Sequence, residues 1–383
     1  MCPADLKQLN ELLKLIEERI DLEHCKKVDA RYRAALSYEA IERPPLVIQS
    51  ELGKNWKLPA PWDKFKQYPY CLTFNDPVAM MQNQLLDRVV PGLILKDDNP
   101  LAIRNDHGTI QIASLLGGQW HMHEDNYPWV GSLGSIETVK KLVEEDNEVD
   151  LQGGVMPQSI KTLKFYTEQF SKYTLCKQAV QISLPDLQGP IDTADILWGS
   201  EIFAELLANP KLVTAFMNKI ANTMITVAEY YRRFAYDRLE PFANTQHGYN
   251  IPGRLLIRND SSIMVSPDTY REMILPHDAR LLKEIGTGSI HFCGNGQHLI
   301  EPMLEIPDLC GIDLGQSEMM DIKKIYGRCT EKNVAITNLK PSREDLISGK
   351  AIRDYPTGVV FLYHTENIDD AIEVVDRYNE RGK

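Results

Sequence analysis

The chain has 383 residues, 43% of them hydrophobic, enough to bury a sizeable core. Its net charge of -12 and pI of about 5.3 argue against nucleic acid and anionic membrane surfaces as main partners, because both demand basic patches. The seven cysteines are scattered, odd in number and form no CxxC, which speaks against a disulfide framework and for a reducing cytoplasm.

The opening "MCPADLKQLNELLKL" mixes charge with leucine, unlike a signal peptide, and no uncharged apolar run nears the ~18 residues of a membrane span. From Leu6 to about Ala40 apolar residues recur at three and four, predicting two amphipathic helices. "RPPLVIQ" (43–49) turns that pattern into a short strand. The stretch 51–75 is rich in Pro and aromatics, lacks a period and reads as a long loop, the kind that is often functional or lid-like. Residues 1–75 are therefore expected to form N-terminal helices and a loop packed on a domain spanning 76–383. A helix follows at 76–90, and strand-like "LILK", "LAIRN" and "TIQIASLL" occupy 93–116.

Helices are expected from near Ser135 and over roughly 157–173, then a strand at 178–184 and a turn into a helix at "GPIDTADILWG". Asn209-Pro210 reads as an N-cap with proline at the first helical position, opening a helix to about Arg233. The rest alternates: strand "RLLIRND", helix 267–285 behind Ser266-Pro267, strand "GSIHFC", helix 297–304, strand "LCGIDLG", helix 321–327, strand "NVAIT", helix 342–349, strand "GVVFLYH" and a closing helix 367–380.

Strand then helix, repeated at this spacing, means parallel strands joined by crossover helices. A doubly wound sheet and a closed barrel both fit. The number of units and the polar residues at strand ends favour the barrel, and no GxGxxG follows an early strand. The expected fold is an α/β, (β/α)8 TIM barrel with extra N-terminal helices, in which active-site groups belong at the carboxyl ends of strands.

That rule sorts the candidates. In "TGSIHFCGNGQHL" (287–299), Ser289, His291 and Cys293 share one strand face, and Ile290 and Phe292 the other. Asp313 ends "LCGIDL", His364 ends "GVVFLYH" and Asp260 ends "RLLIRND", whereas Cys310 and Cys329 fall at the opposite ends of their strands. His-x-Cys on one face suits zinc, which accepts imidazole nitrogen and thiolate sulfur together. A catalytic zinc takes three protein ligands and keeps one open position. Asp313 and His364 are the candidates to complete the set; two interior side chains hydrogen-bonded to neighbours would give the same pattern. Asn259-Asp260 reads equally as pocket polar groups or as a turn cap. His121-x-His123, in acidic "WHMHED", reads as a solvated or substrate-contacting turn. Asn295, just past the His-x-Cys strand, and Trp56, in the Pro-rich loop, are the expected cofactor contacts, with Trp62 also near ligand.

The run 255–327, from "LLIRNDSSIMVSP" through "GSIHFCGNG" to "LCGIDLG", resembles the uroporphyrinogen decarboxylase superfamily, as do "ISLPDLQGPIDTADILWG", "LLANPKLV", "ITNLKPSREDLISG" and "HTENIDDAI". The resemblance runs from about residue 75 to the C-terminus and implies the same barrel. It also implies one of two chemistries. The decarboxylases work without metal on a carboxylated tetrapyrrole, but their Arg-Gln-Ala-Gly-Arg-Tyr run is replaced here by "RPPLVIQSELGKNW". The corrinoid-dependent methyltransferases bind zinc through His-x-Cys and a distant third cysteine. His291 and Cys293 match that motif, and His364 stands where the third cysteine would fall.

The expected function is a zinc-dependent methyltransferase moving a methyl group between a corrinoid and a thiol or similar acceptor, with Asp260 and Asp313 as catalytic carboxylates. Its partners would be a small-molecule substrate, a corrinoid protein and, as is common in such barrels, a second copy of the chain. The alternatives are a metal-free lyase acting on a carboxylated substrate and a corrinoid or tetrapyrrole carrier without catalysis.

Overall fold

A computed structural model describes residues 5–50, 57–145 and 148–382. Among these, the strands in chain order are β1 (Leu46–Gln49), β2 (Ala102–Arg104), β3 (Trp120–His121), β4 (Trp129–Val130), β5 (Gln181–Ser183) and β6 (Ala243–Gln246), then β7 (Tyr249–Pro252), β8 (Leu255–Arg258), β9 (Gly288–Phe292), β10 (Leu309–Leu314), β11 (Ala335–Leu339) and β12 (Val359–His364). Six of them form one parallel sheet, in the order β1-β12-β11-β10-β9-β8. β2 and β5 form a separate parallel pair, while β3–β4 and β6–β7 are antiparallel hairpins. Beyond β5, Gln188 bridges in parallel to Arg258 of β8. Ahead of β2, the Asp98 N–H donates to the Leu46 carbonyl at 3.0 Å and the Asp97 carboxylate accepts the Ile48 N–H at 2.8 Å.

Two of the apolar runs expected as strands are helical. "LILK" closes the helix Val90–Leu95, which Lys96 ends in the left-handed conformation, and "TIQIASLL" carries the helix Gln111–Leu115. Only "LAIRN" holds a strand. Runs this short show no period that separates a buried strand from a buried helical turn.

Alternation along the strands sorts the core into two faces. Leu46 and Ile48, Ile290 and Phe292, Ile312 and Leu314 pack toward the crossover helices, in one cluster with Leu9, Leu12 and Ile16 of the helix Leu6–Glu17. Val47, Leu256, Ala335, Val360 and Leu362 point the other way. They meet Val28 and Tyr32 of the helix Leu22–Leu36 together with Tyr249 and Ile251 of the β6–β7 hairpin. That hairpin turns at His247-Gly248, both at positive φ (50° and 89°), the backbone pattern of a two-residue primed turn.

The N-terminal segment is tied in by a buried carboxylate. Asp98 pairs with Arg31 and with Arg43 (2.5 Å) and accepts the Leu46 N–H at 2.9 Å. Burial alone would raise its pKa, but the Arg43 and Arg31 charges outweigh that and hold it low. Its contribution to stability is therefore present above the unfolded carboxylate pKa and lost as pH falls through the folded one. Asp98→Ala, which leaves two guanidinium groups facing a void, is expected to cost about 3–5 kcal/mol, read from the urea midpoint at pH 7.

Candidate metal centre

Strand register builds the site. Across β8, β9, β10 and β11, Arg258 pairs with His291, His291 with Asp313, and Asp313 with Thr337. Residues paired across parallel strands share a face, so these four polar side chains form one row on the face opposite Ile290 and Phe292. Asp313, fully buried, uses both oxygens. Oδ1 takes the His291 Nδ1–H at 2.5 Å, and Oδ2 accepts the hydroxyls of Thr337 (2.6 Å) and Tyr249 (2.9 Å). Burial pushes this carboxyl up, and the bonds from His291, Thr337 and Tyr249, with the His291 charge, bring it below the usual range.

With Nδ1 committed to Asp313, Nε2 of His291 faces two further donors. It lies 3.4 Å from Cys293 Sγ and 3.4 Å from Asp260 Oδ1, and the same Asp260 oxygen accepts the Cys293 N–H at 2.7 Å. The ligand atoms of Asp260, His291 and Cys293 all lie within 4.8 Å of one another. The Asp260 side chain is 44% exposed, so the cluster opens to solvent on that side. Imidazole nitrogen, sulfur and carboxylate oxygen are donors that zinc accepts together, and a carboxylate on the far ring nitrogen is the usual support for a metal-binding histidine. Burial favours the neutral His291 ring, but the hydrogen bonds to Asp313 and Cys293 and the Asp313 charge outweigh it and lift its pKa to about 10.

The thiol has little room. A Cβ placed on Gly315 would meet Cys293 Sγ at 2.8 Å, Cys293 Cα at 3.0 Å and the Phe292 carbonyl at 3.0 Å. Two of those three atoms are backbone and cannot swing aside. Gly315→Ala is expected to cost about 1–3 kcal/mol and to displace the sulfur, which a lower thermal midpoint together with weaker zinc binding would report.

No family model and no curated protein matches the sequence. Among solved structures the chain is similar to a methyltransferase from Methanosarcina mazei, with a TM-score of 0.62 and 14% identity, over 92% of this chain and 98% of that one. The two share a fold. Such a likeness, end to end in both chains, carries the architecture and leaves the chemistry to the side chains.

The other sequence candidates lie apart from the three clustered donors. His364, at the end of β12, lines a cavity of about 330 Å³ together with Arg88, Tyr127 and His247. Its Nε2 has no hydrogen-bond partner among the described residues, and burial and the Lys340 charge lower its pKa. Asn295 is exposed, accepts the Gln297 N–H at 3.3 Å and faces a surface groove beside His298 and Lys324. Trp56 lies outside the described residues, whereas Trp62 is buried in the core under Arg19. His121, on β3, is exposed and packs at a tilt against Trp129. Cys310 sits at the start of β10 and Cys329 is buried in the helix Ile322–Lys332, both outside the cluster.

His247 and Arg88 are among the neighbours of the site that the sequence reading does not single out. The His247 ring stacks between Tyr249 and His291, at centroid distances of 6.4 and 6.2 Å, and its Nε2 meets Arg258. Burial and the Arg258 charge keep that ring neutral. The signal was present: "NTQHGYNIP" is a hairpin pattern with glycine at its turn. Arg88 donates to the His247 carbonyl at 3.3 Å and has no salt-bridge partner among the described residues. No motif marks it.

No helix among the described residues is long and apolar enough to cross a membrane.

Proposed function

We propose that this chain is a zinc-dependent methyltransferase that moves a methyl group between a corrinoid and a thiol or similar acceptor. The observation that carries the reading is the convergence of His291, Cys293 and Asp260 within 4.8 Å, backed by a buried Asp313 on the far ring nitrogen. These three would hold the metal. Bound zinc supplies a Lewis acid that turns a thiol into a thiolate near neutral pH.

The chain's own groups do the rest. Asp313 holds the Nδ1 proton and so presents Nε2 outward, Asp260 pins the Cys293 amide, and His247 packs flat against His291. We read the architecture as a (β/α)8 barrel, its ring closed by the β2–β5 pair through the Gln188–Arg258 bridge and the Asp98–Leu46 contact. The likeness to the archaeal methyltransferase and the motif resemblance favour methyl transfer over other zinc chemistries.

Metal analysis after zinc-replete expression tests the first half, with one zinc per chain expected and loss of it in Cys293→Ala. Dealkylation of methylcobalamin by small thiols, followed by its absorbance, tests the second. Zinc-free wild-type protein would remove the reading.

A second reading rests on Arg88, a half-buried guanidinium that makes no salt bridge among the described residues, in a cavity that reaches His247 and that Asp87 and Asp106 also line. Such a group would grip the acid of a substrate that loses carbon dioxide without metal. Chelator-insensitive carbon dioxide release, weakened by Arg88→Ala, would favour it.

A further inference from the structure

The third donor of the cluster comes from a turn rather than from a strand. Asp260 opens the short 3-10 turn Asp260–Met264 just beyond β8, and little in that turn fixes where its carboxylate points. The Asn259 N–H bonds the His291 carbonyl, and the Ser262 N–H closes the turn on the Asn259 carbonyl. Neither bond restrains residues 260 and 261 themselves.

That restraint arrives from another element. The helix Pro190–Trp198 starts against the end of β8, where the Gly189 N–H donates to the Arg258 carbonyl at 2.8 Å. In its first turn stands Asp192, 3% exposed. Asp192 spends one oxygen on the Asp260 N–H (3.0 Å) and the other on the Ser261 N–H (2.8 Å). One turn on, Asp195 accepts the Ser261 hydroxyl at 2.8 Å. A surface turn needs no buried carboxylate. A neutral Ser or Asn oxygen satisfies one such N–H, whereas an Asn amide would turn its NH2 group toward the second, and burying a charge is costly. The arrangement makes sense if what is being held is the position of Asp260 Oδ1, 2.7 Å from the Cys293 amide and 3.4 Å from His291 Nε2.

We propose that Asp192 is a positioning residue for the metal centre: it clamps the backbone of Asp260 and Ser261 so that the Asp260 carboxylate converges on His291 and Cys293. This rests on the zinc reading for its purpose, but not for its geometry. Asp192 touches no metal-ligand atom itself. It acts through two main-chain amides, and the effect reaches Cys293 through the Asp260 oxygen.

The test is a double-mutant cycle with two readouts. Zinc affinity is measured by chelator competition for wild type, Asp192→Asn, Asp260→Ala and the double variant. Asp192→Asn is expected to weaken zinc by about 10–100-fold in the wild-type background, and by less than about twofold once Asp260 is already alanine. Equal losses in both backgrounds would overturn the proposal, because they would mean general loosening rather than action through Asp260. The second readout needs no metal. Amide hydrogen exchange in the peptide holding Cys293 should be at least about tenfold faster in metal-free Asp192→Asn, and no faster in the double variant than in Asp260→Ala alone.

Unchanged exchange at that peptide would also overturn the proposal. If wild-type protein binds no zinc, the functional reading falls and the exchange arm alone decides. Asp192→Glu keeps the charge but shifts the oxygens, and guards against an asparagine variant that fails to fold. It should behave like the asparagine variant, and wild-type affinity in it would show that charge rather than position matters.

Discussion

Asp313→Ala is expected to cost about 3–5 kcal/mol of folding stability and about 10–100-fold in zinc affinity. The reason lies in what the carboxylate joins. It bonds His291, Thr337 and Tyr249 at once, so its removal strands two hydroxyls and the Nδ1–H of an imidazole in a buried place. The folded pKa of Asp313 is lowered, so its contribution is present above the unfolded carboxylate value and lost as pH falls through the folded one. His291 is raised to about 10, so its contribution is full below its unfolded value and lost as pH climbs through about 10. The pair is therefore intact across the neutral range, and the loss should be plain in a denaturant titration at pH 7. An Asp313→Ala midpoint equal to wild type would mean that the row of polar side chains is not joined as described.

His291→Ala should abolish stoichiometric zinc binding, and the pH dependence of binding in the intact protein should say why. Nε2 must give up its proton to bind a metal, and Asp313 makes that proton hard to remove. Through this proton alone, zinc affinity is expected to rise with pH by up to about one decade per unit between about pH 6 and 9. In Asp313→Asn the ring returns toward an ordinary value of ~6.5, so the histidine's share of the slope should vanish above about pH 7. Competition titrations at several pH values check this. A flat profile in wild type would show that His291 carries no proton for the metal to displace.

Much of the architecture was legible because the carboxyl-terminal half obeys simple rules. Alternation in "GSIHFC" placed His291 and Cys293 on one face, and their side chains do meet. Where the rules lacked purchase, the reading slipped. "LILK" and "TIQIASLL" are too short to show a period, and both turned out helical. The third donor was harder still. His364 and Asp260 both end strands, and nothing in one dimension says which of them bends toward His291. That choice is made by strand order and by a carboxylate 68 residues upstream of Asp260, a relation no spacing rule encodes. His247 was within reach of a closer look at its turn, whereas Arg88 became visible only once the cavity had walls.

The β6–β7 hairpin covers the back of the site. Tyr249, Asn250 and Ile251 are buried against the sheet face that carries His291 and Asp313, and the Tyr249 hydroxyl caps the Asp313 carboxylate from that side. The cluster meets solvent at the Asp260 carboxylate. A ligand approaching the outer ring nitrogen of His291 from there passes that side chain first, so the residue at 260 sets the charge an arriving molecule meets.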